Sequence, residues 1–119
     1  MNDVTVLGLG PAACLLALAL ARHGIRPLLL GSRRSRPAVE GVSQRVVEAL
    51  RQSGCSHALD LLGPRWQRVS CWNAQEVEMN GEFVVERGAF DQALLRDVQA
   101  AGIEVKEGLV RSVDPLPEP

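Results

Sequence analysis

The chain has 119 residues, of which 46% are hydrophobic, and a formal net charge of -1. That composition suits a single domain with a buried core, residues 1–119, and the near-neutral charge speaks against nucleic acid as a partner. Cys14, Cys55 and Cys71 are odd in number and lack CxxC spacing, which argues against a disulfide framework and against a zinc site, and for a reducing, cytoplasmic setting.

Val4 to Gly8 predicts a first strand, which runs through Gly8-Leu9-Gly10-Pro11-Ala12-Ala13 into a helix from Pro11 to about His23. This order of strand, glycine turn and helix binds the pyrophosphate of a dinucleotide. Gly8 allows the tight turn, Gly10 lets backbone approach the phosphates, and Ala13, where a third glycine would stand, keeps helix and strand close. Pro11 fits the first helical turn, and the anion would sit on the free N–H groups of that turn, to which Ala12 also belongs. A tight strand-to-helix turn in another α/β protein would use the same glycines. The apolar run from Val6 to Ala21 also resembles a secretory signal, but the leading Met-Asn-Asp carries an acid and no base, and Gly10-Pro11 breaks the run. It falls short of the ~20 residues that span a bilayer, so no transmembrane segment is expected.

Gly24 stops the first helix, and Pro27 to Leu30 predicts a second strand, completing a βαβ unit. Leu15, Leu16, Leu18 and Leu20, with alanines between them, indicate a helix buried on more than one side. Ser43 caps a helix through Val46, Val47, Ala49 and Leu50 to Gly54, and a short helical piece follows at His57 to Leu62. After Gly63-Pro64, Arg68 to Trp72 and Glu76 to Met79 read as strands, Asn80-Gly81 as a hairpin turn, and Glu82 to Glu86 as the return strand. From Ala89 to Ala101 the spacing of Phe90, Ala93, Leu94 and Val98 is helical, Gly102 is the stop, and Ile103 to Lys106 forms the last strand. The pattern predicts an α/β fold, a Rossmann-like βαβ domain with a parallel sheet and an inserted β-hairpin. Cys14 reads as a small core residue, His23 and His57 as structural, and Asp91 as an acid placed by the helix dipole. Trp66 and Trp72 are expected to pack on the sheet or against further parts of the protein. No residue is assigned a catalytic or metal-binding role.

The glycine fingerprint, Leu28-Leu29-Leu30, Arg33-Arg34, the segment from Gly41 to Leu50 and the segment from Val85 to Leu95 occur in an order that resembles a known family. It is the N-terminal part of FAD-dependent monooxygenases of the p-hydroxybenzoate hydroxylase type and of their relatives, the flavin-dependent halogenases and geranylgeranyl reductases. The likeness spans essentially the whole chain. It implies that the loop around Glu40 to Ser43 passes near the flavin and that Arg87 lies close to the cofactor. A cation at a helix start opposes the dipole, so Arg87 is better understood facing an anion than as a solvated charge.

FAD enzymes of this kind usually end the second strand with an acid that takes both ribose hydroxyls. Here the strand ends Leu30-Gly31-Ser32-Arg33-Arg34, with no acid. A serine followed by arginines also suits the 2′-phosphate of NADP, so NADP stands as the alternative nucleotide, while Ser32 is equally able to bond a free ribose. Val39-Glu40-Gly41-Val42-Ser43 looks nearer to the halogenase and reductase branches; an exposed loop acid is the other reading of Glu40. The candidate cofactor-binding residues are Gly8, Gly10, Pro11, Ala12, Ala13, Ser32, Arg33, Arg34, Glu40, Ser43 and Arg87.

The resemblance implies the FAD-binding portion of a longer flavoprotein oxidoreductase, a monooxygenase using NADH or NADPH and oxygen, with its substrate domain absent here and the chain inactive alone. The substrate, a small molecule or a protein side chain, would be met through the missing domain, whose docking face would be an exposed apolar surface. An NADP-dependent reductase domain and a non-enzymatic nucleotide-binding module are the alternatives.

Overall fold

The computed structural model describes residues 1–115. In chain order the elements are β1 (Val4–Leu7), α1 (Pro11–Arg22), β2 (Pro27–Gly31), β3 (Val39–Ser43), α2 (Gln44–Gln52), α3 (Ser56–Asp60), β4 (Arg65–Trp72), β5 (Gln75–Glu86), α4 (Arg87–Ala100) and β6 (Glu104–Glu107). β1, β2 and β6 form a parallel sheet in the order β1-β2-β6, with Val4 opposite Pro27 and Leu28 opposite Glu104. Both faces of β2 are apolar and covered to some degree, as a central parallel strand requires, and Leu29 is fully buried. The core beside it is made by Cys14, Ala17 and Leu18 of α1 and by Phe90, Leu94 and Val98 of α4. Small residues on α1 let α4 approach closely. No helix among the described residues is long and apolar enough to cross a membrane.

β3, β5 and β4 form a second, antiparallel sheet in the order β3-β5-β4. Three expectations change here. The segment from Glu40 to Ser43 is not a loop but most of β3, whose five residues all pair with Glu82 to Glu86. The inserted unit is therefore three-stranded rather than a simple hairpin. The turn between β4 and β5 lies at Asn73-Ala74, where both residues have positive φ (49° and 61°), a pairing that suits the twist of a two-residue hairpin. Asn80-Gly81 sits inside β5: between the pairs Trp66↔Glu82 and Arg68↔Met79 the single residue Gln67 stands opposite both, a β-bulge. Turning at Asn73 lets β5 pair along its whole length, first with β4 and then also with β3, and this longer ladder outweighs the local turn preference of Asn-Gly.

Only the second half of β5 reaches the core, through Val85, joined by Val42 of β3. β4 is exposed at every residue. Trp66 and Trp72 do not pack on the sheet; they are 60% and 78% exposed, and Val69, Val77 and Met79 of the same two strands are exposed as well. The molecule is accordingly elongated, with a radius of gyration of 17.1 Å and extents of 56 × 31 × 29 Å, against about 13.5 Å for a compact chain of this length.

Candidate functional site

The site begins at the turn between β1 and α1. Gly8 holds φ +133°, a backbone that side chains rarely adopt, and a Cβ on it would meet the Ala13 Cβ at 3.5 Å, so the small residue at position 13 does bring helix and turn together. Gly10 is the N-cap of α1 and has no side chain to offer the free N–H groups of the first turn, which also lacks an acid. The other three helices are served. Ser43 Oγ accepts from the Val46 N–H at 3.3 Å on α2, and the Glu86 carboxylate accepts from Gly88 and Ala89 at 2.9 and 2.8 Å on α4. On α3 the buried Asp97 accepts from the N–H groups of His57 and Ala58 at 3.0 and 2.9 Å, and bonds the His57 ring at 2.8 Å. Among the described residues only α1 presents an uncapped positive helix end, the arrangement that receives an anion.

That end opens on a cavity of about 190 Å³. The β1–α1 turn contributes Leu9 and Gly10, the segment after β2 contributes Ser32, Arg33 and Arg34, and α4 contributes Arg87, Gly88, Asp91, Gln92 and Leu95. Three guanidinium groups and one carboxylate line it, so N–H donors suited to a phosphate-bearing ligand outnumber the acceptors. Sequence reasoning missed the α4 wall beyond Arg87, although Gly88, Gln92 and Leu95 recur at helical spacing and mark one face.

Arg87, 18% exposed at its side chain, ties α4 to β3 of the antiparallel sheet. Its Nε and Nη2 donate to Asp91 Oδ1 and Oδ2 at 3.0 and 3.2 Å, and Nη1 donates to Glu40 Oε2 at 2.8 Å. These bonds, to Asp91 first and Glu40 second, hold the guanidinium above its ordinary pKa. Asp91 is thus the fork that aims Arg87 rather than an acid placed by the dipole alone, and Glu40 is an ion-pair partner rather than a free loop acid. Nη2 stands 4.0 Å from where a Gly10 Cβ would be, so the guanidinium faces the glycine turn with N–H groups to spare.

The candidate residues divide in space. Gly10, Ser32, Arg33, Arg34 and Arg87 share the first cavity. Pro11, Glu40, Ser43 and Arg87 line a neighbouring one of about 250 Å³ over Phe90 and Val42, so Arg87 is the wall between them. Gly8, Ala12 and Ala13 line neither. Arg33 Nε donates to Glu107 of β6, and Arg34 Nε donates to the Arg36 carbonyl at 3.1 Å. Burial pushes the Cys14 thiol up to about 12 and the Cys55 thiol up to about 11, so both are packing groups and not nucleophiles.

No protein-family model and no curated protein matches the chain. Solved structures do. A flavin-dependent brominase is 22% identical with a TM-score of 0.77 over 96% of this chain, and a 2-methyl-3-hydroxypyridine-5-carboxylic acid oxygenase is 17% identical with a TM-score of 0.69 over 87%. The peptidyl tryptophan dihydroxylase QhpG, essential for tryptophylquinone cofactor biogenesis, is 42% identical with a TM-score of 0.81 over 96% of this chain. Over nearly its whole length the chain shares the fold of one part of each of these enzymes. It spans 27% of the dihydroxylase, 31% of the brominase and 30% of the pyridine-carboxylate oxygenase. FAD fits this chain's own features: the glycine turn leaves backbone room, α1 has an uncapped end for a pyrophosphate, and the arginine-lined cavity beside it suits an ADP half.

Proposed function

We propose that this chain binds the ADP half of FAD on behalf of a flavin-dependent monooxygenase whose substrate is an aromatic side chain of a peptide, tryptophan above all. The observation that carries the reading is the uncapped α1 facing an arginine-lined cavity, in a chain 42% identical to a peptidyl tryptophan dihydroxylase. When bound, FAD supplies the redox chemistry, with NADH or NADPH as reductant and oxygen as co-substrate. The residues of this chain bind and orient. The uncapped start of α1 at Gly10 and the spare N–H groups of Arg87 meet the pyrophosphate, while Asp91 and Glu40 fix the direction of that guanidinium. Ser32 offers its hydroxyl to the ribose. Residues 1–119 act as the nucleotide-binding unit, and the substrate is met by further structure of the kind that makes up the rest of the matched proteins. Three free cysteines favour a reducing, cytoplasmic location.

A specific observation favours a second reading: Arg33 and Arg34 line the cavity as a 2′-phosphate site would require. Titration of the full chain with FAD and with NADP, followed by absorbance after gel filtration, separates the two. Retained yellow flavin, with Arg87→Ala loosening FAD about tenfold or more, is the expected outcome, because a charge-assisted bond to phosphate is worth about 1.5–3 kcal/mol. A colourless protein that holds NADP and refuses FAD overturns the flavoprotein reading.

A further inference from the structure

We propose that Glu107 at the end of β6, and no residue of β2, reads the adenosine ribose of the bound nucleotide, and that its pairing with Arg33 selects a free 2′-hydroxyl over a 2′-phosphate. The inference rests on the reading of the cavity as a nucleotide site. Its first ground is steric. Gly31 is the last residue of β2, and a Cβ there would lie 3.1 Å from both Cα and C of Gly8. The neighbour is backbone of the glycine turn itself, so a side chain at Gly31 would have to push that turn away by a few tenths of an ångström.

The second ground is where the nearest carboxylate stands. β6 runs parallel to β2 with Glu107 opposite Gly31, and the Gly108 N–H donates to the Gly31 carbonyl at 2.8 Å, so the register is held on both sides of the pair. Paired residues of adjacent strands project to the same face of a sheet. Glu107 is thereby delivered one strand away from the position where β2 lacks an acid, outside the cavity lining itself but bonded to Arg33, which is part of it. Its Oε1 accepts from Arg33 Nε, and Oε2 has no protein partner among the described residues. Both side chains are about half exposed, at 48% for Arg33 and 53% for Glu107, so a ligand reaches them.

The chemistry follows from the pair. A carboxylate accepts hydrogen bonds from the hydroxyls of a ribose and repels a 2′-phosphate. Arg33 bound to Glu107 has its charge cancelled at short range, and so does not serve as a phosphate receptor while the pair is intact. Removing the carboxylate releases Arg33, with Arg34 close in sequence, to become one. An exposed ion pair of this kind adds little to folding, so the selectivity is separable from stability.

The test compares the full chain with Glu107→Gln and with the double variant Glu107→Gln/Arg33→Ala, each titrated calorimetrically with ADP and with adenosine 2′,5′-bisphosphate. Melting curves establish that all three fold. The wild type is expected to prefer ADP, Glu107→Gln to lose about tenfold or more in ADP affinity while gaining for the bisphosphate, and the double variant to lose that gain. An unchanged preference in Glu107→Gln, or a wild type that prefers the bisphosphate, refutes the role of Glu107 while leaving a nucleotide site standing. A wild type that binds neither ADP nor FAD overturns the nucleotide reading and this inference with it.

Discussion

The parallel sheet with α1 and α4 and the antiparallel sheet β3-β5-β4 are held together by different forces. In the first, Leu29, Cys14, Phe90, Leu94 and Val98 are buried and almost without solvent contact, and the cavity sits at the ends of its strands. In the second, β4 is open along its whole length and the outer half of β5 with it. One strand belongs to both worlds: β5 pairs with β4 through Gln75 in open solvent and ends with Val85 in the core. The difference teaches where precision comes from. Interlocked apolar side chains hold the glycine turn and the start of α4 in place, with Glu40 of β3 helping to aim Arg87, whereas the outer β4–β5 ladder fixes its own register but not a site.

The contrast is open to attack by mutation, and the largest effect is expected in the core. Leu94→Ala should lower stability by about 2–5 kcal/mol in denaturant titration, the range for emptying a buried leucine site. A loss under about 1 kcal/mol would show that the parallel half is not the better packed of the two. Asp97→Ala should follow, at about 1.5–3 kcal/mol, because it strands the α3 N–H groups of His57 and Ala58 that its carboxylate serves, and their amide hydrogen exchange should accelerate before that of α4. At the junction of the two sheets, Glu86 is held below the usual carboxylate range by the N–H groups of Ala89 and Gly88. A depressed acid stabilises fully above its unfolded pKa, and that contribution is lost as pH falls through the lower folded value. Glu86→Gln should therefore lower the melting temperature at pH 7, with the gap to wild type closing on acidification; a gap that widens would contradict the cap. Trp72→Ser should be the mildest, within about 0.5 kcal/mol of wild type, since its ring is mostly solvated. A larger loss would mean the outer sheet carries more of the fold than its exposure indicates.

Much of the parallel half is legible in the sequence. The strand, glycine turn, α1 and Gly24 stop follow from local rules of φ, helix capping and apolar spacing, and the family resemblance rests on the same contiguous segments. Apolar spacing places α4 at Ala89 to Ala101, whereas the Glu86 cap starts it two residues earlier at Arg87 and it ends at Ala100. What the tertiary structure alone decided lies in pairs far apart along the chain. Arg87 and Glu40 are 47 residues apart, His57 and Asp97 are 40 apart, and Arg33 and Glu107 are 74 apart. Val39–Ser43 is a strand only because β5 lies beside it, and Asn80-Gly81 is a bulge only because β4 extends past it. Local backbone preferences are properties of a few neighbouring residues and can be read from them. Strand pairing and the partner of a charge depend on which segments meet after collapse, and burial of the whole core sets that, so those features had to wait for the fold.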